Sequence, residues 1–392
     1  MTNVLNIDKE LVDKALLNRR HMHQHPELSF QETHTANWIS DQLEEMAVKY
    51  RRNVGGNGIV ATLKQGKADS SIVALRADFD ALPILEQSNS SFASVNKGVM
   101  HACGHDFHTS ILLSVLEHFK QDDAWEGTIH FIFQHAEEML PGGAIAMLQD
   151  NLFDGELPKV IIAQHVDPDL KVGTFGFKPG AYMASSDEIY LTITGRGGHA
   201  ALPHKINDTV LAASQTIVNL QQIASRKADP TTPMVLSFGK LMALGATNVI
   251  PSEVRIEGTL RTFDETWRED SKRLIDEITV YTAKAHGCNA NIDIKYGYPV
   301  LFNNEAATQT AIDTCKNIFG EHNTIALTHR MTAEDFGYFS QQYPAVFYRC
   351  GVAQKDASNN FPLHSSQFNL NEDAIEPSIK MMINLTLKFL NS

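Results

Sequence analysis

Three short apolar runs in this chain end alike. Residues 72–75 pass into Arg76-Ala77-Asp78-Phe79-Asp80, residues 129–133 into Gln134-His135-Ala136-Glu137-Glu138, and residues 160–163 into Gln164-His165. Runs this short and this apolar suit strands buried on both faces, and such strands belong to parallel sheets covered by helices. In open α/β sheets, ligands bind outside the carboxyl ends of the strands. Three strands that each deliver carboxylate or imidazole there are expected to converge on one site.

The rest of the chain follows the same rhythm until about residue 186. Ala36, Trp38, Ile39, Leu43 and Met46 predict a helix over 33–46. Ile111, Leu112, Val115, Leu116 and Phe119 predict a mostly buried helix over 108–119, and residues 59–63 a further strand. Then Ile189, Leu191 and Ile193 alternate, as in a half-exposed strand. A helix over 210–223, strands over 234–241 and 254–262, a long helix over 267–286 and a strand over 290–296 complete a β-α-β-β-α-β order, the ferredoxin-like pattern. After Pro299 the α/β character returns, with a helix over 305–319, a strand over 345–348, a loop holding His364 and a final helix over 372–389. The expectation is a doubly wound, mostly parallel α/β domain built from 1–185 and 299–392, interrupted by an inserted α+β domain at 186–298.

Composition narrows the function classes. A formal net charge of −13 over 392 residues argues against a nucleic-acid or anionic-membrane surface. Four scattered cysteines (103, 288, 315 and 350) make no disulfide framework, so a reducing cytoplasm is expected. The first nine residues show no basic stretch followed by an apolar one, so no secretory signal is expected. No apolar run approaches the ~20 residues that span a bilayer.

The densest chemistry lies in Met100-His101-Ala102-Cys103-Gly104-His105-Asp106. Thiolate and imidazole are ligands that borderline-soft ions such as Zn²⁺ prefer. Cys103 and His105 therefore read as metal ligands, or else as a small core residue and a helix cap. His101 and Asp106 are expected to support the ligands from behind. Glu137 and Glu138 follow a buried strand. They could simply complement a helix N-terminus. Beside a metal the pair divides naturally, one carboxylate binding the ion and its neighbour accepting a proton from water. Spacing does not say which does which. Asp78 and Asp80 bracket a strand end, or a solvated turn. His165 reads as a ligand; His364 and His199, in a loop and a glycine turn, read locally as surface and turn residues. No H-E-x-x-H helix, G-x-S-x-G elbow or phosphate-binding G-x-x-x-x-G-K-[ST] loop is present.

Taken together, these segments resemble the aminoacylase/carboxypeptidase family of dinuclear metallopeptidases. Within it they resemble the amidohydrolase branch, which includes hippurate hydrolase, N-acyl-amino-acid deacetylases and plant auxin-conjugate hydrolases. The match runs from Arg20-His21-Met22-His23-Gln24-His25-Pro26-Glu27-Leu28-Ser29-Phe30 through the Asp78, Cys103 and Glu137 motifs. It continues with Gly197-Gly198-His199-Ala200-Ala201-Leu202-Pro203-His204, Asn248-Val249-Ile250-Pro251, Ala333-Glu334-Asp335-Phe336 and Leu363-His364.

The resemblance implies two divalent ions per chain, bridged by Cys103. His105 and His165 would complete one shell, Glu138 and His364 the other. Mixed S/N/O donors admit Zn²⁺, Mn²⁺, Co²⁺ or Ni²⁺. Glu137 would be the general base towards a metal-activated water, with Asp80 supporting the site. The inserted domain would be the lid and would form a homodimer. His199 would hold the substrate carbonyl oxygen or carboxylate, with Asn248 lining the same side. The activity implied is hydrolysis of N-acetyl, N-benzoyl or aryl-acetyl amino acids or similar small amides. A dipeptidase of the same family, a metal-free cysteine hydrolase and a non-catalytic binding protein are the other readings. Three departures bear on substrate identity: His135 and Met139-Leu140-Pro141 beside the acids, Thr332-Ala333 before Glu334, and Ser366 two residues after His364.

Overall fold

The computed structural model describes residues 7–67 and 70–392. The stretch before residue 7, read above for a secretory pattern, lies outside them. Among them two compact units emerge: the described residues up to 180, with 302–328 and 335–392, form the first, and residues 181–301 with 329–334 the second.

The first unit opens with helices α1 (Lys9–Gln24) and α2 (Thr33–Glu45). Asp8 starts α1, its side chain accepting from the Glu10 amide. Strands β1 (Tyr50–Val54), β2 (Gly58–Gln65) and β3 (Ile72–Asp78) follow, then helix α3 (His105–Gln121), strand β4 (Gly127–Gln134), helix α4 (Gly143–Gln149) and strands β5 (Val160–Asp167) and β6 (Phe175–Phe177). The three diagnostic strands run further than their apolar cores. Asp78, Gln134 and His165 are paired within the sheet, Asp78 opposite Gln134 and His165 opposite Arg349. Backbone pairing continues through polar residues there because their side chains find partners in the site itself.

The second unit contains β7 (Asp187–Thr194), a short β8 (Gly198–His199), α5 (Thr209–Gln222), β9 (Met234–Met242), a short β10 (Val249–Ile250), β11 (Glu253–Thr262), α6 (Glu265–Ala285) and β12 (Asn289–Tyr296). Its four long strands form an antiparallel sheet in the order β9-β11-β7-β12. Burial alternates along β7, so one face carries Ile189, Leu191 and Ile193 into a core shared with Leu220, Ile256 and Ile275. Asp208 and Asp264 cap α5 and α6 by accepting from Leu211 N and Trp267 N, each cap worth ~1 kcal/mol.

The chain then returns to the first unit with α7 (Glu305–Phe319), β13 (Thr324–Ala326), β14 (Ala345–Gly351) and α8 (Ile375–Leu390). The eight-stranded sheet has the order β1-β2-β4-β3-β5-β14-β6-β13. Its centre is parallel, with β3 pairing β4 and β5, and β5 pairing β14. Val73, Ala74 and Leu75 are all fully buried, so both sheet faces are covered. One face packs α1, α2, α3, α7 and α8 into a single core. The final helix begins at Ile375 rather than 372, because residues 372–374 form a turn of 3₁₀-helix. No helix among the described residues is long and apolar enough to cross a membrane.

A buried ion pair ties α1 to α3. Arg19 Nε lies 3.2 Å from Asp106 Oδ2, and His23 Nδ1 lies 2.9 Å from the same oxygen; all three residues are buried. This corrects the expectation for Asp106, whose carboxylate serves Arg19 and His23 rather than a ligand histidine. Burial pushes the Asp106 carboxyl up, but Arg19 and His23 outweigh it and hold it well below the usual carboxylate range. The stability it contributes is therefore present above its unfolded pKa of ~4 and lost as pH falls. Asp106→Ala should lower unfolding free energy at pH 7 by about 1.5–3 kcal/mol, because Arg19 Nε and His23 Nδ1 lose their buried acceptor, while the far end of the Arg19 guanidinium keeps Glu372 and Asn369. Denaturant titration checks this; a loss under about 1 kcal/mol, the scale of an exposed pair, would count against the assignment.

Candidate metal centre

The site forms where β3, β4 and β5 end, joined by the N-terminus of α3 and the His364 loop. Gly104 makes the entry to α3 possible. It has φ +83°, and a Cβ there would meet Val166 Cγ2 at 2.6 Å. Only glycine lets the backbone turn this close to β5, and the turn leaves Cys103 and His105 facing one centre. His364, itself at φ +64°, donates its amide to Ala102 O at 2.8 Å, which brings its loop beside Cys103.

The donors meet in overlapping sets. Cys103, His105 and His165 form one group and Cys103, Glu138 and His364 another, with the ligand atoms of each within 4.8 Å of one another. Cys103 Sγ is 3.5 Å from His165 Nε2, and Glu138 Oε1 is 3.3 Å from His364 Nε2. The thiol is common to both sets. A third group joins His105, Glu137 and Glu138.

Hydrogen bonds behind the donors fix which atoms face the centre. His105 Nδ1 donates to Asp80 O at 3.0 Å and Asp80 Oδ1 at 3.1 Å, which turns Nε2 inward. His165 Nδ1 donates to Val166 O at 2.8 Å and likewise presents Nε2. Asp80 Oδ2 accepts from Glu138 N at 2.9 Å and Ser29 Oγ at 2.7 Å. One carboxylate thus orients a histidine and the loop of both acids.

In a fourth candidate group, Asp78, His105 and His108, the Asp78 and His108 atoms are already satisfied. His108 Nδ1 donates to Asp78 Oδ1 at 2.6 Å, and His108 Nε2 accepts from Val166 N at 3.0 Å. Asp78 Oδ2 accepts from Arg76 Nη1 at 2.6 Å. Arg76 also reaches Gln134 and Asp335, so it knits the ends of β3 and β4 together.

The residues fit divalent cations on two counts. His105 Nε2 is buried with no hydrogen-bond partner, a costly state unless something else occupies its lone pair. The centre also gathers more carboxylate than it neutralises. Burial pushes the Cys103 thiol far up, and Glu138, Glu137 and Asp78 push it further. Burial resists protonation of His105, yet Asp78, Asp80 and Glu138 raise it to about 10. A hydrogen bond to Glu138 raises His364. His165 goes the other way: burial, then Arg349, keep its imidazole neutral and ready to ligate. Protons are held where positive charge is wanted, and cations would displace them.

Comparison with known proteins agrees with this geometry. A family model described as peptidase family M20/M25/M40 matches residues 74–388. The chain belongs to that family. It is 42% identical over 300 residues to an N-acyl-L-amino acid amidohydrolase of Geobacillus stearothermophilus, covering 75% of this chain and 80% of that protein. It is 37% identical over 374 residues to an N-acetyl-L-cysteine deacetylase of Bacillus subtilis, covering 95% and 86%. Among solved structures it is similar to the Bacillus subtilis YXEP protein, a dinuclear metal binding peptidase from the M20 family. The TM-score there is 0.85 at 31% identity, covering 98% of this chain and 100% of that one.

Within this M20 chain, His199 and Asn248 lie in the second unit, on a ribbon of their own. His199 pairs with Val249, and Ala200 N donates to Asn248 O at 2.9 Å. The Ala201 amide donates to His199 Nδ1 at 3.1 Å. With Nδ1 engaged as an acceptor, Nε2 is the ring nitrogen left to donate. Three residues escaped the sequence reading. His108 shares a helix face with His105, three residues away, a spacing that offered a signal. Arg76 and Glu32 gave none, because their partners are remote in sequence.

Proposed function

We propose that this M20-family chain is a metal-dependent amidohydrolase that cleaves the amide bond of N-acyl amino acids. The shared thiol carries the reading: two three-donor sets meet at Cys103, with Glu137 beside them. Cys103, His105 and His165 would hold one divalent ion, and Cys103, Glu138 and His364 a second. Bound ions supply Lewis acidity, which makes water a nucleophile near neutral pH and polarises the amide carbonyl.

The protein's own groups do the rest. Glu137 accepts the proton of the attacking water on its carboxylate and passes it to the leaving nitrogen. Asp80 keeps Nδ1 of His105 protonated and the Glu138 amide in place. His199 donates from Nε2 to a carbonyl or carboxylate oxygen of the substrate, and Asn248 lines that subsite. Residues 1–185 and 299–392 carry the chemistry, while 186–298 serve as lid and homodimer contact. The four cysteines are all free and buried, which suits a reducing cytoplasm. The names of the relatives favour small acyl groups.

A panel of N-acetyl, N-benzoyl and indole-acetyl amino acids, assayed before and after chelation with Zn²⁺, Mn²⁺, Co²⁺ or Ni²⁺ added back, tests this. The expected result is hydrolysis that chelator abolishes and one ion restores. Activity that survives chelation but not thiol alkylation would point instead to Cys103 as a nucleophile.

A further inference from the structure

Glu32 is a fully buried carboxylate with no counter-cation among its bonded partners. Its Oε1 accepts from Ala136 N at 2.8 Å, and its Oε2 from Asn57 Nδ2 at 3.0 Å. Ala136 immediately precedes Glu137 and sits at φ +51°, a conformation that alanine adopts only when its surroundings demand it. Its other backbone group is held too, Ala136 O accepting from Gly143 N at 2.9 Å. Gly143 in turn is pressed against His135, where a Cβ would come within 1.8 Å of His135 O. Two residues before Glu32, Phe30 sets its ring edge-on to His135, with centroids 5.9 Å apart. The 29–32 segment thus grips the loop after β4 at His135 through Phe30 and at Ala136 through Glu32, and reaches Asp80 just past the end of β3 through Ser29.

An acid is an expensive acceptor in such a place. Burial drives the Glu32 carboxyl up to about 7, and the hydrogen bonds from Asn57 and Ala136 only partly offset it. A backbone amide needs no charged partner, so the acid points to a demand beyond filling the core.

We infer that Glu32 is a positioning residue for the general base: by fixing Ala136 in its left-handed conformation it sets where the Glu137 carboxylate sits relative to Glu138. This rests on the reading of Glu137 given above. Glu138 has its own tether to Asp80, so loss of Glu32 should displace the base and spare the metal.

Glu32→Ala and Glu32→Gln are compared with wild type for metal content, for kcat and KM on the N-acyl amino acid cleaved fastest in the panel, and for hydrogen exchange over residues 134–143. Glu32→Ala should keep its metal and its KM, lose kcat by about 10–100-fold per metal-loaded molecule, and exchange faster over that peptide. Glu32→Gln should recover most of the kcat and the protection, because the amide oxygen can still accept from Ala136 while Asn57 turns its own amide to match. If Glu32→Ala does not fold, Glu32→Asp decides. Its carboxylate is one carbon too short to reach Ala136, and its kcat should fall while KM holds. Unchanged kcat in the folded variants, or a Gln variant no better than the Ala or Asp one, would overturn the inference. Glu137→Gln, run in parallel, separates the two claims. If it retains turnover the base assignment fails; if it is inactive while Glu32→Ala is normal, only the positioning role fails.

Discussion

Glu137→Gln is expected to lower kcat by about 10²–10⁴-fold while the protein stays folded and loaded with metal. That range is what a positioned general acid–base contributes. Glutamine keeps the volume and the hydrogen-bonding reach of the buried side chain but cannot take the proton. Glu137 belongs to neither of the two donor sets that share Cys103. Elemental analysis should therefore return the wild-type metal content. A variant that turns over at near-normal rate would refute the role. A variant that loses metal and rate together would mean that Glu137 is a ligand and that Glu138 must be reconsidered as the base.

Cys103→Ala should have the opposite signature. The thiol is the one donor common to both three-membered sets, so its removal leaves each set with two. Even groups that merely orient ligands cost about 10–100-fold in affinity when removed, so losing a shared ligand should cost more than ~100-fold. Metal should be nearly absent after dialysis, and activity should disappear with it. The fold should survive, since Cys103 lies in the bend just before α3 rather than within the packed helices. Unchanged metal content would sink the shared-ligand assignment and bring back the reading of Cys103 as a small core residue.

Most of the element pattern was legible because it depends on local periodicity. The helix expected over 305–319 forms over Glu305–Phe319, and the 33–46 pattern becomes α2. Strand ends were less legible. The apolar runs stop at 75, 133 and 163, whereas the strands continue to Asp78, Gln134 and Asp167. Pairing is a property of backbone amides, and a polar side chain does not end it when that side chain is satisfied inside the protein.

The residue types that make a metal centre stand in the sequence itself: a thiol and an imidazole at a helix entry, an imidazole and paired acids at strand ends, and a third imidazole in a late loop. Their sharing of Cys103 does not. That depends on Gly104 turning against Val166 and on the His364 amide reaching Ala102. Asp106 shows the same limit from the other side, since its proximity to the motif suggested a ligand partner while the fold gave it to Arg19, 87 positions earlier in the chain. Glu32 was invisible for a like reason, its partner Ala136 lying 104 residues away. The sequence alone determined most of the strands and helices and which chemistry they carry, because hydrophobic period and residue type are local. The tertiary structure alone decided which donor faces which, and what holds each in place, because those contacts join segments that only the folded sheet brings together.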